Sequence, residues 1–253
     1  MLPADFCRLP IAHRALHNRA EGRPENSRAA IRAAIAAGYG IEIDLQPSAD
    51  GVPMVFHDEE LMRLTGTAGR ITDLSAAKLR MLRLIGGDEG IPTFAEVLEI
   101  VAGQVPLLVE IKDQDGALGP KVGALEAAVA EALKGYQGPV ALMSFNPHSV
   151  AALAERAPEI PRGLTTEAFV SNEWPITDPA IRAHLAEIAD YDRVGASFIS
   201  HDAADLARPR VAELKAAGAR ILCWTIRSPE AEAKARQVAE NITFEGYLAA
   251  HPA

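Results

Sequence analysis

The chain alternates short, almost continuous hydrophobic runs with longer Ala-rich stretches in which apolar residues recur at helical spacing. Apolar runs of about four to eight residues are typical of strands buried on both faces, and a 3.6-residue period is typical of helices that pack on one side. The runs predict these strands: Leu9–His13, Tyr39–Leu45, Pro106–Ile111, Val140–Phe145, Arg162–Thr166, Val194–Ile199, Arg220–Ile226 and Thr243–Leu248. The stretches between them predict these helices: Ser27–Ala37, Phe94–Ala102, Gly119–Lys134, Pro147–Ala157, Pro179–Tyr191, Ala203–Ala217 and Pro229–Glu240.

Strands that alternate with helices over about 250 residues are the size and rhythm of a (β/α)8 barrel. A doubly wound open sheet has the same alternation. However, the dinucleotide-binding glycine pattern does not follow the first strand, where the chain reads His13-Arg14-Ala15. We therefore predict an α/β protein with the (β/α)8 TIM-barrel architecture, formed by residues 1–253 as a single domain.

One connection breaks this rhythm. A turn signal, Ser48-Ala49-Asp50-Gly51, follows the second strand, and the next clear core helix begins only near Phe94. Connections between elements are usually about four to six residues long, so a much longer one indicates a functional segment. We predict a small insertion after strand two, over residues 47–92.

Composition narrows the function classes. The 253 residues carry 34 acidic and 25 basic side chains, a net charge of −9, and only 5% aromatics, which disfavours a nucleic-acid binder. The two cysteines, Cys7 and Cys223, favour a reducing compartment. No apolar run has the length of a membrane span and the N-terminus has no signal-peptide pattern. We expect a cytoplasmic protein, whose oligomeric state the pattern leaves open.

Polar residues cluster at the predicted strand ends. Glu42 and Asp44 are two residues apart and share one face of strand two, and Glu110 lies near the end of strand three. An oxygen-only set suits Mg²⁺, Ca²⁺ or Mn²⁺ better than Zn²⁺. The alternative is that each acid faces solvent, but three buried carboxylates would repel without a metal or bases such as Arg14 and Lys112.

Two histidines are the candidate acid–base groups, because histidine titrates near neutral pH. His13 precedes Arg14 at a strand end, and His57 precedes Asp58 at the start of the insertion. The other five histidines are assigned to ordinary core or surface hydrogen bonding.

Taken in order, these residues resemble the glycerophosphodiester phosphodiesterase family. That family has a His-Arg pair, then Glu-x-Asp, then His-Asp, and the resemblance extends over nearly the whole chain. The matching segments are His13-Arg14, Pro24-Glu25-Asn26-Ser27, Glu42-Ile43-Asp44, Asp50–Pro53, His57-Asp58, Leu61–Gly69, Ile91-Pro92-Thr93, Glu110-Ile111-Lys112, Ser144-Phe145 and Trp224-Thr225.

The resemblance implies a metal-dependent barrel in which Glu42, Asp44 and Glu110 hold one divalent cation. We expect Mg²⁺ or Ca²⁺, with Mn²⁺ as the next choice. The resemblance implies phosphate contact by Arg14 with support from Lys112. Trp224 is assigned to substrate binding, with core filling as the alternative. It also implies that His13 and His57 are the catalytic pair. We assign His13 the base-like role and His57 the acid, although the sequence leaves the reverse open.

The implied reaction is hydrolysis of a glycerophosphodiester, or a related polyol-phosphate diester, to a phosphomonoester such as glycerol 3-phosphate and an alcohol. The alternatives are a metal-dependent lyase or isomerase acting on sugars, and a ligand-binding relic of the same barrel. Three departures from the family pattern put glycerol specificity in doubt: Ala15 replaces a glycine, and Ala249 and Ala250 stand where a threonine and an aspartate are usual.

Overall fold

The computed structural model describes residues 1–170, 174, 176 and 178–251, and in them it confirms the (β/α)8 barrel. All neighbouring strands of the ring are parallel, and the first strand pairs with both the second and the last, which closes the barrel. The barrel strands are β1 (Ile11–Ala12), β2 (Gly40–Pro47), β4 (Leu107–Ile111), β5 (Val140–Ser144), β6 (Arg162–Thr166), β7 (Phe198–Asp202), β8 (Arg220–Ile226) and β9 (Asn241–Phe244).

The α-helices of the described residues are α1 (Asp5–Arg8), α2 (Arg28–Ala37), α3 (Met62–Thr65), α4 (Ala76–Leu79), α5 (Phe94–Val101), α6 (Ala124–Ala132), α7 (Pro147–Arg156), α8 (Pro179–Ala186), α9 (Pro209–Ala216) and α10 (Pro229–Ala235). Helix α2 has clear end signals, since the Ser27 side chain accepts from the amide of Ala30 and Gly38 is left-handed at φ 74°. In the described part of the chain, no helix has the length and apolarity needed to cross a bilayer.

Alternation along each strand separates two layers of side chains. Ile41, Ile43 and Val109 point outward and pack in the main core with the helices. On the inner face, Leu108 packs with Phe198 and with Phe6 of α1 at the bottom of the barrel. Most of the next inward positions toward the carboxyl ends of the strands are polar, although Met143 lies beside Glu110, and the candidate site lies at this level.

The segment between β2 and α5 has a hydrophobic cluster of its own, which includes Met54, Phe56, Leu61 and Leu79. It begins with β3 (Pro53–Val55), which is antiparallel to β2. This pairing carries the chain back toward the strand ends, where His57 follows.

Several predicted boundaries are wrong, and left-handed glycines or a proline explain them. The strand predicted at Val194–Ile199 starts later because Gly195, at φ 60°, lies in a turn. The strand predicted at Thr243–Leu248 is β9, which ends at Phe244, shortly before Gly246 at φ 78°. The helix predicted at Ala203–Ala217 is a short 3-10 helix followed by α9, which has Pro209 at its first position.

Candidate active site

Three carboxylates converge at the carboxyl end of the barrel because of strand register. Asp44 of β2 is paired directly with Glu110 of β4, and Glu42 lies two residues before Asp44 on the same face. All three are buried, with exposures of 2% for Glu42, 1% for Asp44 and 6% for Glu110. Each offers an oxygen within 4.8 Å of the other two, so one ion can contact all three.

Lys112 and Arg14 stabilise the charged form of Asp44 more than that of Glu42. Burial, reinforced by Asp44 and Glu110, raises the pKa of Glu42 well above its usual value. Burial acts in the same direction on Asp44, but Lys112, with His57 and Arg14, outweighs it and holds the pKa of Asp44 well below its usual range. The Lys112 Nζ lies 2.8 Å from Asp44 Oδ1 and 2.5 Å from Glu110 Oε1.

This donor set fits a hard divalent cation. All three ligands are carboxylates, which suit Mg²⁺, Ca²⁺ or Mn²⁺. Three carboxylates against the two cations Arg14 and Lys112 leave one formal negative charge, and a divalent ion would turn it into one positive charge.

Arg14 is held by the backbone as well as by its side chain. Its amide donates to Glu42 Oε2 at 2.8 Å, and its Nη1 donates to Glu25 Oε1 at 2.8 Å. Arg14 and Ala15 are both left-handed, at φ 50° and 65°. Ala15 therefore adopts a backbone conformation that favours glycine, at a cost of about 1–2 kcal/mol.

His13 follows β1 and is oriented by Glu245, which comes directly after β9. The His13 Nδ1 and Glu245 Oε2 are 2.6 Å apart. Burial lowers the pKa of His13, although the hydrogen bond to Glu245 acts in the opposite direction. A lowered pKa keeps the imidazole neutral near neutral pH, and the Nδ1 contact leaves Nε2 for another partner.

His57 is held in the same manner by its neighbour. Its Nδ1 lies 2.7 Å from Asp58 Oδ1, and Asp58 accepts two hydrogen bonds from Arg63 of α3. Arg63 also donates twice to Glu25, at 2.8 Å each, and Glu25 contacts Arg14. A continuous line of charged groups therefore joins His57 to Arg14.

All eight predicted site residues line one cavity of about 170 Å³: His13, Arg14, Glu42, Asp44, His57, Glu110, Lys112 and Trp224. A second cavity, of about 700 Å³, adjoins it and shares five lining residues: His57, Glu110, Lys112, Phe145 and Trp224. Its walls include Phe145 and Trp174, whose rings are 4.9 Å apart, and acidic side chains lie around it.

Several residues of the site are not predicted by the sequence pattern. The pattern predicts Glu245 inside a strand, where a lone acid usually faces solvent, whereas β9 ends at Phe244. Arg63 and Glu25 are 38 residues apart and nothing local couples them. The cavity also contains the buried hydroxyls of Thr165, Ser200 and Thr243, which have no hydrogen-bond partner among the described residues.

A family model, the glycerophosphoryl diester phosphodiesterase family, matches residues 13–242. A glycerophosphodiester phosphodiesterase from Caldanaerobacter subterraneus subsp. tengcongensis is 32% identical over 178 residues, which are 66% of this chain and 70% of that protein.

Solved structures agree with this match. A phosphodiesterase from Oleispira antarctica in complex with the product sn-glycerol-3-phosphate is 26% identical with a TM-score of 0.76, covering 94% of this chain and 93% of that one. A glycerophosphodiester phosphodiesterase from Thermotoga maritima has a TM-score of 0.69 at 23% identity, covering 93% and 94%. The latter similarity is one of fold.

Proposed function

Since the chain belongs to the glycerophosphoryl diester phosphodiesterase family and is a phosphoric diester hydrolase, we propose that it cleaves glycerophosphodiesters, or related polyol-phosphate diesters. The products are a phosphomonoester, such as glycerol 3-phosphate, and an alcohol. If a substrate hydroxyl attacks, the alcohol leaves from a cyclic phosphodiester, which water then opens to the phosphomonoester. One observation carries the proposal: a single small cavity brings together two histidines, three basic side chains and three carboxylates.

The charges favour one position for the phosphate. Three basic side chains line the small cavity: Arg14, Lys112 and Arg227. Arg227 is paired with Glu245, whereas Arg14 and Lys112 lie beside the carboxylates, with side-chain exposures of 18% and 15%. Glu42, Asp44 and Glu110 would hold one divalent cation, which supplies Lewis-acid stabilisation of charge on the phosphoryl oxygens. Mg²⁺ and Ca²⁺ are our first choices and Mn²⁺ the next. With the two charges of the ion included, the three carboxylates, Arg14 and Lys112 carry one formal positive charge in total. A phosphodiester monoanion neutralises that charge.

The two cavities support different roles for the two histidines. His13 lines only the small cavity, and burial lowers its pKa, so we assign it to accept the proton of the attacking hydroxyl or water. His57 lines both cavities. With the phosphate in the small cavity and the alcohol in the larger one, the P–O bond between them lies beside His57. We assign His57 to protonate the leaving alkoxide as the P–O bond breaks.

The larger cavity suits the alcohol part of the substrate. The rings of Phe145, Trp174 and Trp224 line this cavity, and Asp58, Glu59, Glu60 and Asp113 contribute carboxylates. Aromatic faces together with negative charge attract cations. We expect a cationic alcohol such as an amino alcohol to be preferred over a neutral alcohol.

The proposal is tested by hydrolysis of glycerophosphodiesters that differ only in the alcohol, with both products identified by mass spectrometry. We expect glycerol phosphate plus free alcohol, with kcat/KM higher for ethanolamine or choline diesters than for the glycerol diester. A matched diester of propane-1,3-diol, which lacks the hydroxyl next to the phosphate-bearing carbon, distinguishes attack by that hydroxyl from attack by water. No turnover of any diester by folded, metal-supplied protein would reject the proposal.

Arg63 is a positioning residue in this scheme, because it contacts neither cavity and acts through Asp58 and Glu25. We propose that the insertion, residues 47–92, serves to hold His57 in place through this arginine. A lysine keeps the charge but cannot form the same set of four hydrogen bonds.

We expect Arg63→Lys to lower kcat/KM by up to about 10²-fold, the size of effect that small misplacements of catalytic groups produce. The melting temperature should change little, so that the lower kcat/KM reflects the position of His57 and not unfolding. Arg83→Lys is the matched control, since the one ion pair of Arg83 among the described residues is with exposed Asp88 in the same insertion, away from both cavities. If Arg63→Lys and Arg83→Lys have equal kcat/KM, the positioning role is wrong.

A further inference from the structure

A second cluster of metal-type ligands lies beside the catalytic cavity, outside the three carboxylates. It consists of His13, His17 and Glu245, whose ligand atoms all lie within 4.8 Å of one another. The sequence pattern predicts only ordinary hydrogen bonding for His17. In the structure, its Nε2 is buried, has no hydrogen-bond partner among the described residues and lies 3.5 Å from Glu245 Oε2.

The chemistry of this cluster differs from that of the carboxylate site. Two imidazole nitrogens and one carboxylate oxygen form a donor set typical of Zn²⁺, whereas hard cations prefer oxygen alone. The Glu245 Oε2 is 2.6 Å from the His13 Nδ1, so the three groups already face one point. Small side-chain shifts would bring all three to zinc–ligand distances of about 2.0–2.2 Å.

An ion can reach this cluster without passing through the substrate cavity. His17 and Glu245 line a separate cavity of about 880 Å³, bounded by the first loop, α2 and the segment after β9. His13 instead lines the small catalytic cavity. The cluster therefore lies in the wall between the two.

We propose that His13, His17 and Glu245 form a second cation site, which takes Zn²⁺ or a similar borderline transition-metal ion and withdraws His13 from the reaction. The last part rests on the proposed function. An ion on Nδ1 replaces the contact with Glu245, and the single proton of the neutral ring then sits on Nε2. With that proton in place, Nε2 has no lone pair with which to accept another.

Binding is tested without any measurement of activity. Protein saturated with Mg²⁺, which occupies the carboxylate site, is titrated with Zn²⁺ against a chromophoric zinc indicator. We expect wild-type protein to bind one more Zn²⁺ than His17→Ala. The control His148→Ala, which removes an exposed histidine, should match wild type. Equal zinc uptake by His17→Ala and wild type would overturn the site.

Turnover tests the consequence. Zn²⁺ should lower kcat in Mg²⁺-saturated wild-type enzyme with little change in KM, because Arg14 and Lys112 still bind the phosphate. His17→Ala should keep near-normal turnover without zinc and need at least about tenfold more Zn²⁺ for inhibition, since even outer-shell partners contribute about 10–100-fold to metal affinity. Zinc that binds through His17 and leaves turnover unchanged would overturn the withdrawal of His13. The site itself would be overturned only by the indicator titration, so the two failures are distinguishable.

Discussion

Replacing His57 by alanine should lower kcat by about 10²–10⁴ on a diester whose leaving group is an ordinary alcohol, the usual contribution of a general acid. An alkoxide is a strong base and leaves poorly unless it is protonated as the P–O bond breaks. Nitrophenolate is a weak base and needs no such proton. The loss should therefore nearly disappear on glycerol phospho-p-nitrophenol, measured beside glycerophosphoethanolamine.

His13→Ala is the matched comparison for this experiment. A base is needed to activate the attacking group whichever alcohol leaves, so His13→Ala should be impaired on both substrates. His148→Ala should be impaired on neither, because His148 is exposed on α7 away from both cavities. If His13→Ala is the variant that the nitrophenyl substrate rescues, the two roles are reversed. Equal losses for His57→Ala on the two substrates would reject its role as the acid.

Removal of the metal should have the other large effect. Chelated protein is expected to lose at least about 10²–10³-fold in kcat, because Lewis-acid stabilisation contributes several kcal/mol and each 1.4 kcal/mol is tenfold in rate. Readdition of Mg²⁺ or Ca²⁺ should restore turnover. The remaining metal is measured by elemental analysis, and full turnover by metal-free protein would reject the site.

Asp44→Asn tests the ligand assignment directly. Asp44 contacts Lys112 and lies within reach of Glu42 and Glu110, so its loss removes both a ligand and charge. We expect Mg²⁺ to stabilise wild-type protein against heat, by about 2.7 kcal/mol at a hundred times its Kd, and to stabilise Asp44→Asn much less. Glu131→Gln, on an exposed face of α6, is the control and should behave as wild type. An unchanged Mg²⁺-dependent shift in Asp44→Asn would remove Asp44 from the ligand set.

The most local features were the most predictable. Glu42 and Asp44 share a face because side chains alternate along any strand, and Glu110 meets them because the next barrel strand is adjacent. His13 and Arg14 follow the same logic at the end of β1. The resemblance to a known family added the roles, since spacing alone also allows solvent-facing acids.

Pairings between distant segments were not predictable. His57 reaches the site only because β3 folds back antiparallel on β2. Glu245 meets His13 across 232 residues, and it does so because β9 ends one residue before it. Arg63 joins Asp58 to Glu25 from a short helix whose own sequence carries no sign of that contact.

The sequence by itself therefore determined the alternation of strands and helices, the barrel that follows from it, and the residue types that carry the chemistry. The strands and helices follow from hydrophobic periods of two and 3.6 residues, which can be seen in neighbouring residues of the sequence. Only the tertiary structure decided which carboxylate orients His13, how Arg63 joins the insertion to Arg14, and that His17 faces Glu245. Those contacts depend on ring closure and strand register, which bring together side chains that no local pattern relates.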